Sequence, residues 1–105
     1  MNFTILGNNV ASLPKKRESL NAVIEFCKWP SCITLQETHL GENVKFDIDK
    51  YEVYQKNRNS SGGGLLTAVD PLLQPEKVPL ESESNAEILV VQIEVNKKRI
   101  RIIFF

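Results

Sequence analysis

The sequence is poor in residues that bind metals through nitrogen or sulfur, with one histidine and two cysteines among 105 residues. A structural zinc site needs four such ligands at characteristic spacings, so this kind of site is excluded. Cys27 and Cys32 have no second cysteine pair. Because cysteine is usually buried, we expect two buried, reduced thiols in an intracellular protein.

Long apolar runs and an excess of charge are also missing. No run approaches the roughly 20 apolar residues of a membrane span, and residues 1–4 lack the start of a signal peptide. We therefore expect an intracellular, soluble protein with no membrane contact. The 13 basic residues balance 13 acidic ones, which argues against a chain that grips nucleic acid by charge alone.

The remaining composition, 42% apolar and 25% charged residues, is that of one small globular domain. Residues 3–6 predict a strand that ends in a turn at 7–9. A helix is expected next, capped by Ser12, and residues 32–35 predict a second strand. The apolar side of the helix is formed by Leu20, Val23, Ile24 and Cys27.

A strand, a helix and a strand in this order predict a βαβ unit with parallel strands. Asn9 and Glu37 lie just beyond the two predicted strands. We therefore expect them at the same edge of the sheet, which is where α/β proteins bind ligands.

The second half of the chain predicts more strands at residues 51–54 and 65–69, then a hairpin of residues 89–95 and 99–102. Residues 70–86 contain three prolines and predict a surface loop. The last residues form a strand with no turn after it, which indicates a domain interrupted midway. A single sheet with one uncovered face would expose Leu89, Val91 and Ile93, and we then expect marginal stability or aggregation.

The segment with the clearest chemistry is residues 35–40, Leu-Gln-Glu-Thr-His-Leu. A buried strand places Glu37 at its carboxyl end, followed by a hydroxyl and an imidazole. A glutamate held in this way can bind Mg²⁺, which takes one or two carboxylates and completes its shell with water and phosphate oxygens. An exposed strand-end glutamate without a ligand fits the same pattern.

Three motifs in this order resemble the endonuclease/exonuclease/phosphatase superfamily. They are Asn-Asn-Val-Ala-Ser-Leu at 8–13, Leu-Gln-Glu-Thr at 35–38 and the glycine-rich turn at 58–66. The Gln-Glu-Thr-His-Leu form, Tyr-x-Val-Tyr at 51–54 and the triple glycine are most similar to the endonuclease domains of non-LTR retrotransposons. Lysine is usual at the position of His39 in the apurinic-site repair nucleases that share this framework.

The resemblance implies an α/β fold, half of a four-layer α/β sandwich, with a mixed sheet, one βαβ unit and a terminal hairpin. Residues 1–105 would form the N-terminal part of such a domain, truncated at its C-terminus. The family's later Asp-x-Asn and Ser-Asp-His segments, which complete its chemistry, would then lie in a missing C-terminal half. The isolated chain is therefore expected to be inactive.

The resemblance also implies roles for individual residues. Asn9 would orient the scissile phosphate or a water on the metal, and Glu37 would bind Mg²⁺, or Mn²⁺ in its place. His39 would face the DNA backbone or the surroundings of the metal. The turn would bring backbone amides close to phosphate through Gly62, Gly63 and Gly64. A solvated loop histidine and an ordinary hairpin turn fit the same residues.

Three positions depart from the family pattern. Asn8 stands where tryptophan is common, and Ala11 stands where a polar residue often assists the metal. Ser61 stands where arginine often precedes the glycines. These changes indicate a divergent or decayed copy.

Three functions remain open. The first is a Mg²⁺-dependent DNA endonuclease that nicks target sites for a nuclear retrotransposon, with DNA and a reverse transcriptase as partners. The second is another phosphodiesterase or phosphatase of the superfamily, acting on inositol phosphates, sphingomyelin or RNA tails. The third is a non-catalytic remnant of such an element.

Overall fold

Two β-sheets and one α-helix make up the described part of the chain. The structure is a computed structural model, and it describes residues 3–41, 43–57, 63–79 and 88–104. The elements are β1 Ile5–Asn9, α1 Arg17–Phe26, β2 Cys32–Gln36, β3 Glu52–Lys56, β4 Leu65–Val69, β5 Glu76–Lys77, β6 Leu89–Val95 and β7 Lys98–Phe104. Short 3-10 turns at Leu13–Lys15 and Pro71–Leu73 precede α1 and β5.

The first sheet has the strand order β1-β2-β4-β3. β1 and β2 are parallel and connected through α1, which confirms the predicted βαβ unit. β4 is antiparallel to both β2 and β3, so the sheet is mixed, as expected. β4 has a paired strand on each side, and all five of its side chains are buried. This burial explains why four of its five residues are apolar.

β1 is longer than its apolar residues predicted. The expected turn at residues 7–9 is wrong, because β1 runs to Asn9 and stays in register with β2, from Ile5 opposite Cys32 to Asn9 opposite Gln36. β1 is an end strand of the sheet, and most of its side chains are exposed. Its length is therefore set by backbone pairing and not by side-chain burial.

Helix α1 begins later than predicted. The Ser12 side chain makes no capping hydrogen bond, and the Ser12 backbone is left-handed with φ of 98°. Its amide donates instead to the carbonyl of Glu37 at 2.9 Å. Ser12 is thus part of the connection between the ends of β1 and β2, and the helix starts at Arg17.

The buried side of α1 is also narrower than predicted. Leu20 and Ile24 are buried, whereas Val23 is 43% exposed. Val23 lies beside β1, beyond which the described residues place no further strand. Cys27 follows the last helical residue and is exposed, so only Cys32 of the two thiols is buried as expected.

The second sheet has the order β5-β6-β7 and is antiparallel. It contains the predicted hairpin, whose turn residues Asn96 and Lys97 have φ of 51° and 66°, as two-residue hairpin turns require. The segment 70–86 was predicted to be only a loop, yet it includes the 3-10 turn and β5. That turn starts where the Asp70 side chain accepts the Leu72 amide. Residues 80–86 lie outside the described part.

The two sheets pack face to face. Leu89, Val91 and Ile93 of β6 are at most 1% exposed and share one apolar cluster with Leu65 and Val69 of β4. The expectation of a single sheet with these β6 side chains uncovered is therefore wrong, because the hairpin forms its own sheet and covers the first. A second apolar cluster joins the other face of the first sheet to α1.

Within the described ranges, no helix has the length and apolar character needed to cross a membrane.

Candidate functional site

The candidate site lies at one edge of the first sheet, where all four strands have an end. Four residues are paired in a row across this edge: Asn9 of β1 with Gln36 of β2, Gln36 with Leu65 of β4, and Leu65 with Lys56 of β3. Glu37 follows Gln36 directly. The prediction that Asn9 and Glu37 share one edge of the sheet is therefore confirmed.

Backbone hydrogen bonds connect the first two motifs beyond the ends of their strands. The Ser12 amide donates to the Glu37 carbonyl at 2.9 Å, and the Leu13 amide donates to the Thr38 carbonyl at 2.8 Å. Leu13 is fully buried beneath this connection. The loop after β1 is consequently fixed against the turn that carries Glu37.

The glycine-rich motif reaches the same turn from the other side. The Thr38 amide donates to the Gly64 carbonyl at 3.3 Å, and the His39 amide donates to the Gly63 carbonyl at 2.9 Å. Gly62, the first glycine of the motif, lies outside the described residues. The three motifs that are separate in the sequence thus meet around residues 37–39.

The turn at residues 37–39 has an unusual backbone. Glu37 and His39 have φ of 52° and 54°, a left-handed conformation that disfavours ordinary side chains by roughly 1–2 kcal/mol per residue. Their side chains are exposed, whereas Thr38 between them is buried. Left-handed residues held by their surroundings are concentrated at ligand-binding and active sites. The turn therefore presents a carboxylate and an imidazole to solvent from a fixed backbone.

Thr38 is the residue on which this turn is packed. It is 0% exposed, and its Oγ1 has no hydrogen-bond partner among the described residues. Gly64 leaves no room beside it, because a Cβ at position 64 would collide with Thr38 Oγ1. No sequence pattern indicates that Thr38 points inward, since the direction depends on the left-handed residues on both sides of it.

Two amide side chains near the end of β3 also act on this edge, and their role was not predicted from the sequence. The Asn57 Nδ2 donates to the carbonyls of Gly41 and Val44 at 2.7 and 2.9 Å. The Gln55 Nε2 donates to the Val44 carbonyl at 3.0 Å, and the Gln55 Oε1 accepts the Phe46 amide at 2.6 Å. The sequence showed here only a polar stretch, residues 55–61, after a predicted strand.

The oxygen donors at the edge match the way in which proteins hold Mg²⁺. Glu37 offers an exposed carboxylate, and Asn9 offers an exposed amide oxygen. In the described part of the chain, no three His, Cys, Asp or Glu side chains come together as a metal-binding group. One carboxylate is enough for Mg²⁺, which takes one or two carboxylates and keeps water and phosphate oxygens in its other positions. The same residues do not fit zinc.

The groups with raised pKa values lie away from this edge. Burial, and secondarily the Asp70 carboxylate, raises the pKa of the Cys32 thiol from 9.0 to about 11. The same two causes raise the pKa of Tyr51 to about 12, and the Tyr51 hydroxyl donates to the Pro30 carbonyl at 2.7 Å. Burial, followed by a hydrogen bond to Glu52, raises the pKa of Tyr54 to about 12. These groups belong to the packing of the sheets.

No family model and no curated protein sequence matches the chain. Several solved structures do. The 3′ phosphatase NExo from Neisseria, bound to a product DNA hairpin, aligns with a TM-score of 0.67 and 17% identity. An AP endonuclease from Archaeoglobus fulgidus aligns with a TM-score of 0.67 and 20% identity. TDP2 from D. rerio, in complex with a single-stranded DNA product, aligns with a TM-score of 0.61 and 13% identity.

These alignments cover 95–96% of this chain but only 40–44% of the other chains. The chain thus spans about two fifths of the length of the enzymes it resembles. Likeness at such identities establishes the fold, and the predicted fold is confirmed: α/β, with the mixed sheet and hairpin of part of an endonuclease/exonuclease/phosphatase sandwich.

Proposed function

We propose that this chain supplies the metal-binding part of a Mg²⁺-dependent enzyme that cleaves phosphodiester bonds in DNA. The observation that carries the proposal is the edge at which Asn9 and Glu37 meet. Parallel register places Asn9 opposite Gln36, and the Ser12–Glu37 hydrogen bond of 2.9 Å fixes the turn that follows. A single exposed carboxylate on a left-handed, tightly held turn is of little use to stability, which favours a ligand-binding role.

Each residue of the edge has a distinct part in the proposal. Glu37 holds the metal through its carboxylate, and the Asn9 amide donates to a phosphate oxygen of the substrate. His39, exposed two residues after Glu37, donates a hydrogen bond to the sugar-phosphate backbone of the same DNA strand. Bound Mg²⁺ would supply polarisation of the phosphoryl group and stabilisation of the departing oxygen. The Gly63–Gly64 backbone can approach a phosphate closely because it carries no side chains.

DNA is the substrate class that the comparisons support best. Two of the structures with this fold hold a DNA product, and the third is an AP endonuclease. The motif forms at residues 36–40 and 51–54 favour the target-nicking endonuclease of a non-LTR retrotransposon, which would work in the nucleus beside a reverse transcriptase. The NExo likeness, a 3′ phosphatase, keeps phosphate-monoester removal as a second candidate on the same edge.

We expect the 105-residue chain to bind DNA weakly and to cleave it below detection. The sequence contains one histidine, and the described residues bring no three His, Cys, Asp or Glu side chains together as a metal-binding group. A general acid or base contributes typically 10²–10⁴-fold each. The balanced charge of the chain also provides little of the salt-dependent attraction that holds proteins on DNA.

The test combines binding with cleavage. A labelled single-stranded oligonucleotide is titrated with the chain in the presence and absence of Mg²⁺, and supercoiled plasmid is assayed for nicks. We expect Mg²⁺-dependent binding that Glu37→Ala abolishes and Glu25→Ala, at an exposed helix position, preserves. DNA binding that does not depend on Mg²⁺ and is unchanged in Glu37→Ala would favour the hypothesis of a non-catalytic remnant. Nicking by the wild-type chain but not by Glu37→Ala would show that the site is more complete than we propose.

A further inference from the structure

The stretch that follows His39 is held in place by side-chain amides. Gly41 and residues 43–46 lie between β2 and β3, and these described residues form no strand or helix. Asn57 binds the Gly41 and Val44 carbonyls at 2.7 and 2.9 Å. Gln55 binds the Val44 carbonyl at 3.0 Å and the Phe46 amide at 2.6 Å. The Gln55 Nε2 also donates to the Asn57 Oδ1 at 3.0 Å, which joins the two amides into one unit.

We call these two side chains, Gln55 and Asn57, the amide clamp. The clamp is not needed to attach the segment to the core, because Leu40 and Phe46 at its two ends are already buried, at 3% and 5% exposure. What it orders is the exposed stretch between them. Four hydrogen bonds between these two side chains and the backbone of one short segment hold that segment in a single position.

The backbone is held on both sides of the His39 side chain, and the clamp provides one of the two attachments. His39 is fixed before the segment by its amide hydrogen bond to Gly63 at 2.9 Å. Two residues later, Gly41 is fixed by Asn57. Lys56, the neighbour of Asn57, pairs with Leu65 next to Gly64, so Asn57 belongs to the same sheet edge. His39 is thereby held between a backbone contact with Gly63, just before β4, and the contact of Gly41 with Asn57, just after β3.

We propose that Asn57, supported by Gln55, is a positioning residue that holds the His39 imidazole at the metal- and phosphate-binding edge. The inference rests on the proposed function, because it assigns the clamp to the same site. Without the two Asn57 donors, the Gly41 and Val44 carbonyls turn to water and residues 39–45 sample several conformations. Glu37 is anchored separately through Ser12 and keeps its place. The clamp therefore controls His39 and not metal affinity.

The test uses the fact that the chain has one histidine, whose ring C–H signals are identified in NMR spectra without assignment. Mn²⁺ is titrated as the metal probe, since paramagnetic broadening falls steeply with distance from the ion. We expect broadening of the His39 ring in the wild type. In Asn57→Ala and the isosteric Asn57→Asp, which lacks the two donors, we expect unchanged Mn²⁺ affinity with a several-fold loss of this broadening. A merely stabilising Asn57 would lower the unfolding temperature without changing the broadening in the folded protein.

Asn43→Ala is the matched control, because Asn43 is an exposed amide in the same segment and should leave the His39 signal unchanged. Equal His39 broadening in the wild type and both Asn57 variants would overturn the proposal. A second readout, the heteronuclear NOE of the His39 amide without metal, separates this failure from that of the proposed function. If Mn²⁺ does not broaden the His39 ring signals in the wild type, the proposed metal site is wrong. In that case, a His39 NOE that is lower in the Asn57 variants than in the wild type still supports the role of the clamp. An unchanged NOE overturns that role.

Discussion

Gly64 packs directly against Thr38, so closely that a Cβ at position 64 would collide with Thr38 Oγ1. The contact connects the glycine-rich motif to the turn that carries Glu37 and His39. It is reinforced by the Thr38 amide, which donates to the Gly64 carbonyl at 3.3 Å. Any side chain at position 64 therefore changes the turn on which the candidate site depends.

We expect Gly64→Ala to destabilise the protein by about 2–3 kcal/mol, since it combines overpacking with a disfavoured backbone conformation. The φ of Gly64 is +101°, which side chains rarely adopt. Gly7→Ala is the control, because its φ lies outside the left-handed region and its new Cβ would meet only the Thr34 methyl at 3.3 Å. Urea denaturation measures both changes, and we expect less than about 1 kcal/mol for Gly7→Ala.

A double-mutant cycle separates the collision from the backbone effect. Thr38→Ala removes the Oγ1 that a Cβ on residue 64 would strike. In that background, Gly64→Ala should destabilise less than in the wild type, with a coupling on the order of 1 kcal/mol. Additive effects of the two substitutions would mean that only the φ of Gly64 matters and that the packing contact does not.

Replacing the buried hydroxyl of Thr67 should stabilise the protein, in contrast to the substitutions at Gly64. Thr67 is 0% exposed, and its Oγ1 has no hydrogen-bond partner among the described residues. Thr67→Val replaces this hydroxyl with a methyl group of similar size, so we expect a gain of about 1 kcal/mol in the free energy of unfolding. Thr34, its paired residue on β2, is partly exposed, and Thr34→Val should change little. A loss of stability in Thr67→Val would show that the hydroxyl is hydrogen-bonded.

The raised pKa of the Cys32 thiol predicts that the protein loses stability at alkaline pH. Because its pKa is raised in the folded protein from 9.0 to about 11, the folded state binds the thiol proton more tightly than the unfolded state. This contribution is fully present below pH 9.0 and is lost as the pH rises through about 11. It amounts to about 2–3 kcal/mol. Tyr51 and Tyr54, with pKa values of about 12, add to the loss at higher pH.

Urea midpoints measured from neutral pH upward test this prediction. Cys32→Ala should show a shallower decline between pH 9.0 and about 11 than the wild type, although its stability at neutral pH is lower because of the cavity. Cys27→Ala, at the exposed cysteine, should keep the full decline. Parallel curves for all three proteins would exclude Cys32 as the cause.

Much of the fold could be predicted because it depends on apolar patterns. β4 is apolar except for Thr67 and is buried on both faces, and the alternation in residues 89–95 and 99–102 indicated the hairpin. That the hairpin forms a separate sheet could not be inferred, because alternation shows that one face of a strand is buried but not what covers it. The end of β1 was predicted too early for a related reason. An exposed end strand needs no apolar residues, and Asn8 and Asn9 gave no apolar pattern.

The candidate site was predictable only in its outline. The βαβ order was enough to bring Asn9 and Glu37 to one edge. The inward direction of Thr38 depends on left-handed residues, and the amide clamp of Gln55 and Asn57 depends on contacts between distant segments. Neither has a sequence signature. Predictions from local sequence patterns fail most often at such positions, and functional sites are commonly found there.

The role of Glu37 as the metal ligand is tested most directly by titrating Mn²⁺ and following the backbone amide NMR signals. The titration compares the wild-type chain, Glu37→Gln and the control Glu25→Gln. In the wild type, we predict saturable broadening centred on residues 9, 37 and 64 that excess Mg²⁺ reverses. The broadening should be lost in Glu37→Gln and kept in Glu25→Gln. Unfolding temperatures should be similar, since both glutamates are exposed. Broadening that persists in Glu37→Gln, or that is centred elsewhere in the wild type, would contradict the assignment of Glu37 as the metal ligand.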